Sequence, residues 1–294
     1  MIRRVGRVVL AVLVGCGALA LGVSTAGAAG TGNDDLARIA NSGAALVKAG
    51  SARFSGRVLL SGTSTSGAFT LSGIYDFKHH EGQFNIDASA LGVTNASGRI
   101  TFRLVGGVAY LSLGSFRHLS GGSVPSELAG KQWISIDLAA LGASAGSLEQ
   151  ASPASSLDFL RGVTTDVQNL GPAVVNGVPT THYRIDIDLT KALANVPPAD
   201  RASVQDLIGA LGGASHLPGE EWLDRQGRPV KVSFHVTGTG AHPVQFSETF
   251  YYSHFGVPVR VPVPPASQTV DFTKLIQQLG SSLGAATSTT VPAG

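Results

Sequence analysis

Cysteine is almost missing from this chain: one residue, Cys16, in 294. Cys16 falls in an N-terminal segment that reads as a signal, so its removal leaves a mature protein with no thiol. Disulfides and thiolate metal sites are thereby excluded, and the protein must fold on its hydrophobic core alone. An excess of positive charge is missing as well. The full chain has 21 Lys and Arg against 19 Asp and Glu, but Arg3, Arg4 and Arg7 belong to the N-terminal segment. From Ala29 onward the balance is 18 against 19, a formal charge of −1. No basic patch or polybasic tail remains, which excludes nucleic acid and a charged membrane surface as partners. There is no P-loop and no H-E-x-x-H. Nothing points to a resident cofactor, and the chain reads as a non-enzyme.

What is present begins with an export signal. The basic n-region is followed by an apolar run over residues 8–23 and by Ala26-Gly27-Ala28, an A-x-A pattern that places cleavage before Ala29. The twin arginine lacks a Tat-type continuation, so export by the general secretory route is expected. A second reading stays open. Leu13-Val14-Gly15-Cys16 matches a bacterial lipobox, in which Cys16 would be lipidated and become the first mature residue. The segment lengths favour cleavage after Ala28, because residues 18–23 remain hydrophobic beyond Cys16. Residues 1–28 are thus read as signal, 29–280 as one domain, and 281–294, rich in Ser, Thr, Ala and Gly, as a disordered tail. The protein is expected outside the cytoplasm as a monomer, secreted or anchored through Cys16 at the outer face of the cytoplasmic membrane.

The domain reads as strand-rich. In VVNGVPTTHYRIDIDL, residues 174–189, two apolar runs flank Asn176-Gly177, the dipeptide best suited to a two-residue hairpin turn. Tyr183, Ile185, Ile187 and Leu189 alternate with His182, Arg184, Asp186 and Asp188, which describes one covered and one wet face. Similar parity groups Phe54 with Val58 and Leu60, and Phe69 with Leu71, Tyr75 and Phe77. It also groups Phe84 with Ile86, Ile100 with Phe102 and Leu104, and Val232 with Phe234. Further strands are read in KQWISIDL, EEWLD, PVKVSFHV and QFSETFYYSHFG. Short strands joined by tight turns favour an antiparallel meander. Helices are expected from Asn33 or Asp34, with Leu36, Ile39, Leu46 and Val47 as one buried stripe, and over residues 153–162, 190–194, 198–211 and 271–280.

Candidate catalytic groups are few. His79-His80-Glu81 reads as a solvated turn rather than a metal site. His182 and His235 fall on outer faces. Asp186 and Asp188, about 7 Å apart by strand rise, have the separation of paired carboxylates. Their exposed face favours a solubility role. Trp133 and Trp222 each head a strand and read as core or rim anchors.

The order KQWISIDL, LDFLRGV, GPAVVNGVPTTHYRIDIDL, EEWLDRQGRPVKVSF and YYSHFGVPVRVPVPP resembles actinobacterial cell-envelope lipoproteins of the LppX and LprG type, within the LolA-like lipid-carrier fold. The resemblance covers residues 54–273, most strongly from Lys131. Its most specific pieces are residues 177–189, Trp222-Leu223-Asp224 with Gly227, and Phe255-Gly256 followed by Pro264-Pro265. It implies an α+β fold: a strongly curved antiparallel sheet, or half-barrel, whose concave apolar face is closed by helices. It also implies a cavity for lipid acyl chains, where each buried CH₂ gains about 0.8 kcal/mol. Phe54, Val58, Leu60, Phe69, Leu71, Phe84, Ile86, Ile100, Phe102, Leu104, Tyr183, Ile185, Ile187, Val232 and Phe234 would line it. The implied partner is a lipid or lipidated glycoconjugate, bound noncovalently and carried in the envelope. The alternative is an envelope ligand-sensing or protein-interaction domain, with a protein partner the sequence does not identify; a hydrolase is a third reading.

Overall fold

The computed structural model describes residues 31–61, 67–87, 99–113, 130–137, 164–195, 213–238 and 245–272, with isolated positions between them. Two helices come first, α1 (Thr31–Ala40) and α2 (Ser42–Ala49). The stretch expected as one helix breaks at Asn41. Ile39 and Leu46 are fully buried, but Val47 is 44% exposed, so the inward stripe is narrower than its spacing suggests.

Twelve strands follow: β1 (Ser51–Ser61), β2 (Gly67–Asp76), β3 (Glu81–Asp87), β4 (Arg99–Val105), β5 (Val108–Ser112), β6 (Trp133–Asp137), β7 (Thr164–Val175), β8 (Val178–Asp188), β9 (His216–Leu223), β10 (Pro229–Thr237), β11 (Gln245–Ser253) and β12 (Thr269–Asp271). A short helix, α3 (Leu189–Asn195), extends β8 where a helical turn was expected. The expected helix over residues 153–162, most of that over 198–211 and nearly all of that over 271–280 lie outside the described residues.

All twelve strands form one open sheet in the order β12-β6-β5-β4-β3-β2-β1-β11-β10-β9-β8-β7. Two antiparallel meanders, β1–β6 and β7–β11, join where β1 pairs with β11, so the first long strand meets the last one at the sheet's centre. The sheet is not wholly antiparallel as expected: β12 runs parallel to β6. After β11 the chain crosses to the far edge by way of Pro262, whose carbonyl accepts from Arg103 Nη1. It then turns through the 3-10 segment Ala266–Gln268.

The Asn176-Gly177 hairpin forms as expected, with φ of 49° and 81° at the two turn positions, the positive pair of a turn that follows strand twist. It fixes the register of β7 and β8, and the alternation then decides which face is covered. Tyr183, Ile185, Ile187 and Leu189 are at most 1% exposed, each burial stabilising by roughly 1.5–3 kcal/mol. They join a single apolar cluster spread across the sheet from β4 and β5 to β9, capped by Ile39 of α1 and Leu46 of α2. The helices pack on one half of the face: α1 against β7, α2 against β1 and β10. A smaller cluster of Leu113, Leu128 and Ile134 closes the β6 end. On the outer face, Trp222, Val175 and Val230 make a third.

Candidate functional site

The covered face is organised as rungs that cross the strands. One continuous rung runs Tyr183, Glu221, Val232, Phe250, Gly56, Leu71, Ile86, Ile100 through eight strands. The next runs Ile185, Gly219, Phe234, Glu248, Val58, Phe69. Two glycines explain how aromatic side chains fit there. A Cβ on Gly56 would lie 2.5 Å from the Phe250 ring, and one on Gly219 would lie 2.5 Å from the Phe234 ring. Each ring therefore lies across the neighbouring strand, on a position with no side chain. Further along, Phe54, Phe84 and Tyr75 pack ring against ring, with centroids 5.4 and 5.9 Å apart.

Fourteen of the residues expected to line a cavity stand on this face. Phe54, Val58, Phe69, Leu71, Ile86, Ile100, Leu104, Tyr183, Ile185, Ile187, Val232 and Phe234 are all buried. Phe84 and Phe102 are half-buried and pack against the same cluster, as do Ala109, Phe246 and Phe250. Leu60 pairs with Phe246 in the same register, but its side chain lies outside the described residues, as does Cys16. The face thus divides. Ile39 and Leu46 of the helices join the fully buried part, while Phe84, Phe102, Phe246 and Phe250 on β3, β4 and β11 keep some surface exposed.

Two carboxylates interrupt the apolar face, and neither was singled out from the sequence. Glu221 of β9 is completely buried between Tyr183 and Val232. Among the described residues, neither of its oxygens nor the Ser42 hydroxyl of α2 has a hydrogen-bond partner. Burial pushes its pKa up to about 8, and nearby Ser42 offsets this only in part. Glu248 of β11 faces the same side between Val58 and Phe234. Its surroundings also raise its pKa to about 8, by desolvation alone, although part of its surface stays accessible. The carboxyl is thus surrounded by protein without being wholly sealed. Both residues had a sequence signal. Glu248 shares parity with Phe246 and Phe250 in QFSETFYYS, and in EEWL adjacent glutamates on a strand must point to opposite faces.

The outer-face groups are occupied structurally. Asp186 Oδ2 lies 2.7 Å from His216 Nδ1. Asp188 accepts the Thr190 and Lys191 amides at 2.9 Å and so caps α3. The two do not act on a common point. His182 stacks on Trp222 at 4.1 Å, with Lys231 Nζ 3.9 Å from the same indole. His235 is exposed. Residues 77–80 form a turn in which Asp76 accepts the Lys78 and His79 amides at 2.9 Å. Trp133 lies under the Arg103 guanidinium, 4.4 Å away.

Fold and site together define a half-barrel: an open, mostly antiparallel sheet with an apolar concave face partly covered by helices. No family model matches the chain. Over 177 residues it is 30% identical to an uncharacterized 31.2 kDa protein of Streptomyces griseus, which covers 56% of each chain. Over 170 residues it is 28% identical to a Streptomyces coelicolor protein described as "Putative lipoprotein", covering 55% of this chain and 50% of that one. The chain spans about half the length of these curated relatives. Among solved structures it is similar to the Mycobacterium tuberculosis lipoprotein LppX, at 17% identity and a TM-score of 0.48, covering 78% of this chain and 99% of that one. It is similar too to LprF from Mycobacterium bovis, at 14% identity and a TM-score of 0.45, over 80% and 98% of the two chains.

Proposed function

We propose that the concave face binds the alkyl part of a lipid or lipidated glycoconjugate noncovalently, in the cell envelope and without catalysis. The observation that carries this reading is the set of half-buried aromatics, Phe84 and Phe102 on β3 and β4 and Phe246 and Phe250 on β11, all packed against the buried core. Their exposed surface is apolar, and transferring an alkyl chain from water onto it gains about 25 cal/mol per Å² covered. A carrier needs this division of the face. A close-packed half keeps the fold, and an open half accepts a chain that the protein does not encode. Export followed by cleavage after Ala28, or anchorage by a lipid on Cys16, would place the protein where such ligands occur.

The reading is tested by fluorescent fatty-acid uptake. Saturable binding near one equivalent, abolished by Phe102→Arg in a protein that keeps its circular-dichroism spectrum, supports it. No uptake by the intact chain contradicts it.

A further inference from the structure

Glu248 stands where a lipid carrier has no evident use for a carboxyl. It lies on β11, next to β1 in the interior of the sheet, on the face it shares with Phe246, Phe250 and Tyr252. Its cross-strand neighbours are Val58 and Phe234, each about 4.8 Å away across the sheet. It has no hydrogen-bond partner among the described residues. The inward positions packed on either side of it carry no charge: Gly56 and Val58 on β1, and Val232, Phe234 and Val236 on β10. The other carboxyl on this face, Glu221, is one rung and two strands away and is sealed under α2. Unlike Glu221, Glu248 keeps part of its surface accessible.

Resting on the lipid-binding reading, we propose that Glu248 is a specificity residue. Its carboxyl, in the neutral form, donates a hydrogen bond to an uncharged acceptor on the bound ligand, the carbonyl oxygen of an acyl ester. An apolar bowl rejects a charged partner because neither charge would be solvated. A neutral carboxyl leaves its O–H unsatisfied until an acceptor arrives. An ester carbonyl is such an acceptor, and it comes attached to the alkyl chains that the surrounding aromatics accept. The ligand class is therefore an acyl ester rather than a plain hydrocarbon or ether. The desolvation that keeps Glu248 neutral up to about pH 8 sets the range over which the preference holds. Above it the carboxylate faces the carbonyl oxygen with no proton to share.

The test uses two pyrene-labelled probes that differ only in the carbonyl: decyl pyrenebutyrate and the matching decyl pyrenebutyl ether. At pH 6.5 the intact protein should bind the ester about tenfold more tightly than the ether, the worth of one hydrogen bond to an otherwise unsatisfied buried group. Raising the pH to 9.5 should remove most of that ratio. Glu248→Gln, which keeps an N–H donor and cannot ionise, should retain a preference for the ester at both pH values. Glu248→Leu should bind both probes with a ratio near one. Equal binding of the two probes by the intact protein overturns the proposal and leaves the lipid reading standing. A pH-dependent ratio that survives in Glu248→Gln, or an ester preference that survives in Glu248→Leu, also overturns it. Binding of neither probe overturns both readings. Thermal unfolding of each variant confirms that a folded protein is being compared.

Discussion

Glu221 is fully buried, both its oxygens lack partners, and its pKa is raised from 4.5 to about 8. Well below pH 4.5 the group is neutral in both the folded and the unfolded chain, and its ionisation makes no contribution to stability. As pH rises from 4.5 toward 8, the unfolded chain ionises while the folded one must hold the proton. Stability then falls by about 1.4 kcal/mol per pH unit for this group. The loss reaches roughly 5 kcal/mol by pH 8 and is flat above it, an upper figure because local relaxation lets in water. Glu221→Gln deletes the ionisation and keeps the shape. Urea unfolding of the intact protein and the variant at pH 5 and pH 8 isolates the group from every other titration. The variant's stability relative to the intact protein should rise by several kcal/mol between the two pH values. Equal slopes for the two proteins would refute the claim that Glu221 is sealed without a partner.

Three further outcomes follow from the same geometry. Gly219→Ala should cost about 1–3 kcal/mol in urea unfolding, because its methyl group would meet the Phe234 ring at 2.5 Å; pairing it with Phe234→Leu should recover part of the loss. Ile185→Arg places a charge at a site 1% exposed and should abolish folding as judged by circular dichroism, whereas Phe102→Arg at a half-buried site should spare the fold. Asp224→Ala should destabilise by about 3 kcal/mol, since Asp224 accepts the Gln226 and Arg228 amides at 2.9 Å and Arg228 Nε at 2.7 Å in the β9–β10 turn; thermal unfolding measures it.

The strands most legible in the sequence were those whose two faces differ locally. Residues 178–189 alternate without interruption, and Asn176-Gly177 names its own turn, so burial of Tyr183, Ile185 and Ile187 followed from spacing alone. β9 was legible only at its end. Pro218 and Gly219 are poor strand formers, and they enter the sheet because Phe234, 15 positions later, lies across Gly219. β12 depends wholly on distant partners: Gln132 donates to the Gln268 carbonyl at 2.8 Å and Lys131 to that of Ser267 at 2.8 Å. No local pattern predicts such a parallel edge. The site was legible as an apolar face and not as its two carboxyls. A carboxyl on a strand belongs by type to the wet side, yet parity with Phe246 and Phe250 puts Glu248 on the concave one.

A lipid held on the exposed part of the concave face should travel with the protein through purification. Organic extraction followed by mass spectrometry of the extract reads this out. The expected extract contains a lipid bearing an acyl ester, near one equivalent per chain, reduced in Phe102→Arg. Repeated extraction of intact, folded protein that yields no lipid, together with no uptake of added fatty acid, would contradict the lipid reading.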